Sequence, residues 1–161
     1  MACSRGTATT IQCPPLHWKT DAGLADPRVY FRDYTGNPGY PVLESVRTWN
    51  QSPGIDLFWT QSSCPRHCVP VHSGNYGDTG WASLTSYDYW PETNEFDDGT
   101  MTVQLNDYYQ PWRRNLACHE LGHAIGLGHN TSRSSCLWSV NIERRTPHSD
   151  DFAALRYDIY P

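Results

Sequence analysis

A chain of 161 residues, 38% hydrophobic and 18% charged, is long enough to bury one core and too apolar to be disordered. Its formal net charge of −5 gives no electrostatic case for nucleic acid or for an anionic membrane. No apolar run approaches the ~20 residues of a membrane span, and the opening MACSRGTATT lacks the apolar centre of a signal peptide, so it reads as a mature fragment behind a start methionine, with any leader or pro-segment removed.

Residues 1–15 form a Thr-rich arm. RVYFRDY (28–34), rich in β-branched and aromatic residues, predicts a strand. PVLESVRTWNQ (41–51) predicts an amphipathic helix: Pro41 suits a first helical position, and Val42, Val46 and Trp49 fall at i, i+4 and i+7. IDLFWT (55–60) alternates Ile55, Leu57 and Trp59, a second strand. CVPVH (68–72) and GWASLTSY (80–87) are a third and a fourth, and TMTVQLN (100–106), alternating Met101, Val103 and Leu105, is a fifth. A helix is predicted over 113–127, with Leu116, Leu121, Ala124 and Ile125 as its apolar stripe and Gly126 or Gly128 as its end. A last helix is predicted over 147–160, from a Thr-Pro start, acidic residues in the first turn, then Phe152, Leu155 and Ile159. No repeat or linker divides the chain, so 1–161 reads as one domain.

The six cysteines allow many pairings. The local set Cys3–Cys13, Cys64–Cys68 and Cys118–Cys136 is favoured because each bridge closes a short loop, and it implies an oxidising, extracellular setting. A zinc knuckle from Cys64, His67 and Cys68 competes for CPRHC, but no second ligand pair stands at a matching distance.

HELGHAIGLGH (119–129) carries the chemistry. His119 and His123, four apart on a helix, lie on one face with Cβ atoms about 5–6 Å apart. Two imidazoles so placed can grip one zinc at ~2.0–2.1 Å. Glu120 is about 100° round the helix and can flank the metal without ligating it. A third ligand needs the chain to turn back, and Gly126 tolerates the positive φ of a sharp exit, which brings His129 in from the other side. Three neutral histidines leave a fourth position open to a water whose pKa falls toward ~7. Glu120 can take that water's proton as it attacks a carbonyl and return it to the leaving amine. The plainer readings are a helix with chance histidines and a closed structural site. Chance accounts poorly for the pattern in a chain with seven histidines. A closed site wants a fourth protein ligand, and Cys118, adjacent to His119, points off the metal face.

The HExxHxxGxxH pattern resembles the metzincin metallopeptidases, and the order of elements is most similar to their matrixin-type branch. GYPVLESVRTWNQSPGIDLFWT is similar to that group's first helix and second strand, NLACHELGHAIGLGH to its active-site helix, and DDFAALRYDIY to its last helix. The resemblance implies an α+β fold: a twisted five-stranded mixed sheet with an antiparallel edge strand, an active-site helix and a C-terminal helix. It implies a secreted, monomeric zinc endopeptidase acting on extended peptide or protein substrates and restrained by a pro-segment or protein inhibitor. Glu120 is then the general base and His119, His123 and His129 the zinc ligands. The edge strand, with Trp81, Ala82, Ser83 and Leu84, would pair the substrate, and Ser139, Val140 and Asn141 would line the pocket beyond the scissile bond.

The sequence departs from the family in two places. The family's methionine beneath the metal falls, eight residues after His129, on Leu137. We expect Leu137 to be a buried packing residue there; the alternative is a slipped turn that puts Trp138 under the metal. Matrixin structural ions would find only His72 and Asp78 near the edge strand, and EFDDGT (95–100) offers oxygens to calcium, against the plainer reading of a solvated turn. His17, His67, His72 and His148 read as surface residues, and the glycosylation patterns NQS (50–52) and NTS (130–132) as incidental. An answer of another class is a zinc-holding binding module of the same fold that no longer cleaves: Glu120 argues against it, the missing methionine for it.

Overall fold

The structure, a computed structural model, describes residues 8–161. In chain order its elements are β1 (Thr9–Ile11), β2 (Arg28–Tyr34), α1 (Val42–Trp49), β3 (Asp56–Thr60), β4 (Cys68–Gly74), β5 (Ser83–Ser86), β6 (Tyr89–Trp90), β7 (Glu95–Phe96), β8 (Thr102–Asn106), α2 (Arg113–Ala124), β9 (Leu127–Asn130) and α3 (Ser149–Ala154). A π-helical stretch, Leu155–Ile159, continues α3.

The main sheet has the order β3-β2-β4-β8-β5. Its first four strands are parallel, and β5 closes one edge antiparallel to β8. The expected five-stranded mixed sheet is therefore present, with the edge strand shorter than 80–87. Parallel neighbours need a crossover, and α1 supplies the one between β2 and β3. Alternate side chains of the strands point into one core: Val29 and Phe31, Val69 and Val71, Val103 and Leu105 are all fully buried. The helix predicted from Val42, Val46 and Trp49 buries those three residues together with Ser45. Trp49 reaches across to α2, where its indole N–H donates to the Cys118 carbonyl at 2.9 Å.

Several expectations are corrected. Two small antiparallel pairs, β1–β9 and β6–β7, were not foreseen. The arm at 1–15 is thus in part a strand, and EFDDGT contributes β7. The helix predicted over 113–127, α2, stops at Ala124. The last carbonyls of α2 have partners from far away in sequence: the Trp18 indole donates to Ala124 O at 2.8 Å and the Tyr160 hydroxyl to Ile125 O at 2.9 Å. With those carbonyls satisfied, the chain leaves the helix and Leu127–Asn130 pairs with β1. The final helix begins at Ser149, where His148 caps it. Its Nδ1 accepts the Asp150 N–H at 3.0 Å, while its own N–H donates to Asp151 Oδ2 at 2.7 Å.

His67 is not a surface residue. It is 2% exposed, packs on Trp18, and its Nδ1 lies 3.3 Å from Asp98 Oδ2. The bridges Cys64–Cys68 and Cys118–Cys136 are formed, which excludes the zinc-knuckle reading. The pairing of Cys3 with Cys13 involves a residue outside those described. Two disulfides fit an oxidising environment, and no helix among the described residues is long and apolar enough to cross a membrane.

Candidate metal centre

His119, His123 and His129 converge, each offering a ring nitrogen, with these atoms all within 4.8 Å of one another. The first two come from adjacent turns of α2, as their spacing requires. The third stands on β9. Gly126 makes the turn between them with φ of +111°, and a Cβ there would meet the Leu16 carbonyl oxygen at 2.5 Å, so only glycine serves. Gly128 lies equally close to β1, where a Cβ would meet Thr10 Oγ1 at 2.5 Å, and the Thr10 hydroxyl donates to His129 O at 2.9 Å. The arm thus braces the strand that carries the third histidine.

The ring orientations are fixed from behind. His119 Nδ1 lies 2.8 Å from the Cys136 carbonyl oxygen and His123 Nδ1 2.8 Å from that of Leu127. A carbonyl only accepts, so each Nδ1 carries a proton, and in the neutral ring Nε2 then carries the lone pair. Those two Nε2 atoms face each other at 3.0 Å, and in the neutral rings neither has a proton to share. Two lone pairs at that distance repel; a cation between them removes the repulsion. The donor set, three imidazoles oriented by backbone carbonyls, fits zinc or a similar borderline ion.

Burial, then repulsion from His123, holds the His119 imidazole down to about 4, although Glu120 and the Cys136 carbonyl pull the other way. Burial first and His123 second also lower His129. Both effects favour the neutral rings that metal ligation needs.

Glu120 is buried beside the histidines at 4% exposure. Oε1 accepts the Ser83 hydroxyl at 2.6 Å and Oε2 the Thr85 hydroxyl, both from β5. The carboxylate is therefore clamped between the helix and the edge strand.

A cleft of about 350 Å³ opens over this cluster. The structure brings Trp81, Ala82, Ser83, Leu84, Ser139 and Asn141 to its walls, with Glu120 and the three histidines on its floor. Val140 is 59% exposed and is not among the lining residues. Thr85 and Asn115 line the cleft and were not foreseen. Thr85 was hidden because period-two alternation tells only that it shares a face with Ser83. Asn115 donates to Arg144 O and accepts from Asn141 Nδ2 at 2.9 Å, which pins the 136–144 segment to α2.

Leu137 is fully buried, against α2. A Cβ on Gly122 would sit 2.8 Å from Leu137 Cδ2 and 2.9 Å from Trp49 Cζ2, so Gly122 lets both side chains press on the helix just before His123. Trp138 is only half-buried, with Arg133 over its ring at 5.9 Å, so the slipped turn is excluded. His72 stacks on Tyr34, Asp78 accepts the Tyr109 hydroxyl at 2.6 Å, and Asp98 Oδ1 accepts the His67 N–H at 2.9 Å. Asn130, in the second glycosylation pattern, is 1% exposed and donates to Thr9 and Asp151.

Compared with known proteins, the chain matches no family model and no curated protein. What is established at this site is a cluster of three histidines able to hold a metal ion, with a clamped carboxylate beside it.

Proposed function

We propose that the protein is a secreted zinc endopeptidase of the metzincin type. The observation that carries the reading is the convergence of His119 and His123, each with Nδ1 held by a backbone carbonyl and Nε2 turned to the other, with His129 at the floor of a cleft whose wall is an exposed sheet edge. A bound zinc would supply Lewis acidity, polarising a carbonyl and lowering the pKa of water. The residues of the chain do the rest. The free side of β5 offers main-chain hydrogen bonds to an extended peptide and so sets its register across the histidines. Glu120 takes the proton of the attacking water and delivers it to the leaving amine. Ser83 and Thr85 hold its carboxylate in place, so that little reorganisation is needed as the proton moves.

The test is direct. Zinc-loaded protein should cleave denatured casein, and Glu120→Ala should lower the rate by ~10²–10⁴ with zinc still bound at unit stoichiometry. A residual rate within about tenfold of wild type would remove Glu120 from the base role.

One observation favours a second reading, a zinc-holding binding module without turnover: both Glu120 oxygens already accept hydroxyl protons. Stoichiometric zinc with no cleavage of any denatured protein would decide for it.

A further inference from the structure

Beside the metal cleft the surface changes sign. Arg113, Arg114, Arg133, Arg144 and Arg145 line the surface around Trp112, a residue 55% exposed. They are five of the 12 basic side chains on a protein of net charge −5. Asp107 offsets one of them, 3.5 Å from Arg113, and Glu143 is the other acid nearby. Arg114 and Arg145 have no ion pair among the described residues.

Two grooves of about 680 Å³ each run through this cluster and share Trp112, Glu143 and Arg145. Asn115 lines both the metal cleft and the first groove; Asn141 lines both the cleft and the second. The surface from histidines to arginines is therefore continuous. Its junction is rigid: Asn141 Oδ1 accepts the Trp112 N–H at 2.7 Å, and Asn141 Nδ2 donates to Trp112 O at 3.1 Å and to Asn115 Oδ1 at 2.9 Å.

The geometry points to a docking subsite for an acidic peptide segment: Asp and Glu side chains of a chain lying in the cleft, a few residues from the bond held over the histidines. The identity of the ligand as a peptide rests on the endopeptidase reading. Guanidinium groups take carboxylates in bidentate pairs, and the Trp112 face gives the aliphatic parts of those side chains an apolar surface. The patch is short and the rest of the protein negative, which suits a few carboxylates and repels a long polyanion.

The experiment uses C-terminally amidated fluorescent peptides with one shared centre and flanks of Asp/Glu, of Asn/Gln or of Lys. Anisotropy is read against the full-length, zinc-loaded Glu120→Gln protein, which leaves the peptides intact. The acidic flank should bind about tenfold more tightly than the Asn/Gln flank at low salt, and the gap should close toward 1 M salt, where the Debye length falls to about 3 Å. Arg114→Glu with Arg145→Glu should reverse the order, so that the Lys flank binds best. Arg114→Gln with Arg145→Gln should erase the preference and serves if charge reversal disturbs folding, as checked by circular dichroism. Equal affinity for acidic and neutral flanks overturns the subsite, as does a preference that survives both double variants. Displacement of the acidic peptide by an oligonucleotide of equal charge at lower concentration also overturns it. Acidic binding without cleavage of any peptide by the wild-type zinc protein sinks the endopeptidase reading and leaves the subsite standing. Cleavage with no charge preference does the reverse.

Discussion

Leu137 stands where the metzincin pattern that the sequence resembles has a methionine, and its surroundings explain how leucine fits there. It has no exposed surface and lies against α2 at Gly122, in a niche closed by Trp49. Only shape and apolarity are asked of it. Leu137→Met should therefore shift stability by less than ~1.5 kcal/mol, and Leu137→Ala should cost ~2–5 kcal/mol through the cavity left behind. Urea unfolding of the zinc-free proteins measures both; a silent alanine variant would contradict the packing role. At this scale the histidine trio was legible because His119 and His123 obey a purely local period and Gly126 marks the exit. Thr85 was not legible as a partner of Glu120, because 35 residues separate them and only the β5–β8 pairing brings the edge strand over the helix. His67 was misread for a similar reason: its neighbours Trp18, Lys19, Asp21 and Asp98 all lie far along the chain.

Among the elements, α3 is tied to the rest by one buried carboxylate. Asp151 Oδ1 accepts from the Thr9 hydroxyl at 2.7 Å and Asn130 Nδ2 at 2.9 Å; Oδ2 accepts from the Ser135 hydroxyl at 2.6 Å and the His148 N–H at 2.7 Å. Four donors thus meet one acceptor group from β1, β9, the turn before Leu137 and the helix start. Asp151→Asn would turn one oxygen into a donor facing donors, and we expect a loss of about 3 kcal/mol or more, since each unsatisfied buried group costs ~1–3 kcal/mol. Thermal unfolding checks it; a loss below ~1 kcal/mol would mean the knot is replaceable. The sequence read Asp151 only as an acidic residue in a first helical turn. Strands and helices with strong periodicity, such as β2, β8 and α1, were legible from their own residues. The end of α2 was not, because the groups that satisfy its carbonyls, Trp18 and Tyr160, come from opposite ends of the chain. The pairs β1–β9 and β6–β7 escaped notice because two- to four-residue strands carry too little alternation to register.

For the whole molecule, His119 and His129 couple folding to pH, and the cluster they form with His123 couples it to a metal ion. His119 ionises at about 4 in the folded protein against 6.5 for a free side chain. The unfolded chain therefore binds the proton that the folded one refuses. This contribution to stability is complete above pH 6.5 and is lost progressively as the pH falls to about 4. The zinc-free protein should thus show a falling urea midpoint across that window, and His119→Gln should flatten the fall; an unchanged slope would place the titration elsewhere. Zinc should add stability by mass action, ~2.7 kcal/mol at a free concentration about a hundredfold above Kd, and a chelator should remove it.

Cys136 stands in two networks at once: its sulfur is bonded to Cys118, and its carbonyl holds the proton of His119. Bridge and ion thereby belong to one thermodynamic cycle, and reciprocity applies to it. By whatever factor the closed bridge tightens ion binding, the bound ion shields the bridge from reductants to the same extent. Outside the cell, where thiols are scarce, each state thus preserves the other. In a reducing compartment an open bridge would weaken ion binding by that same factor, so the redox potential of the surroundings would act as an address label for the metal-bound state.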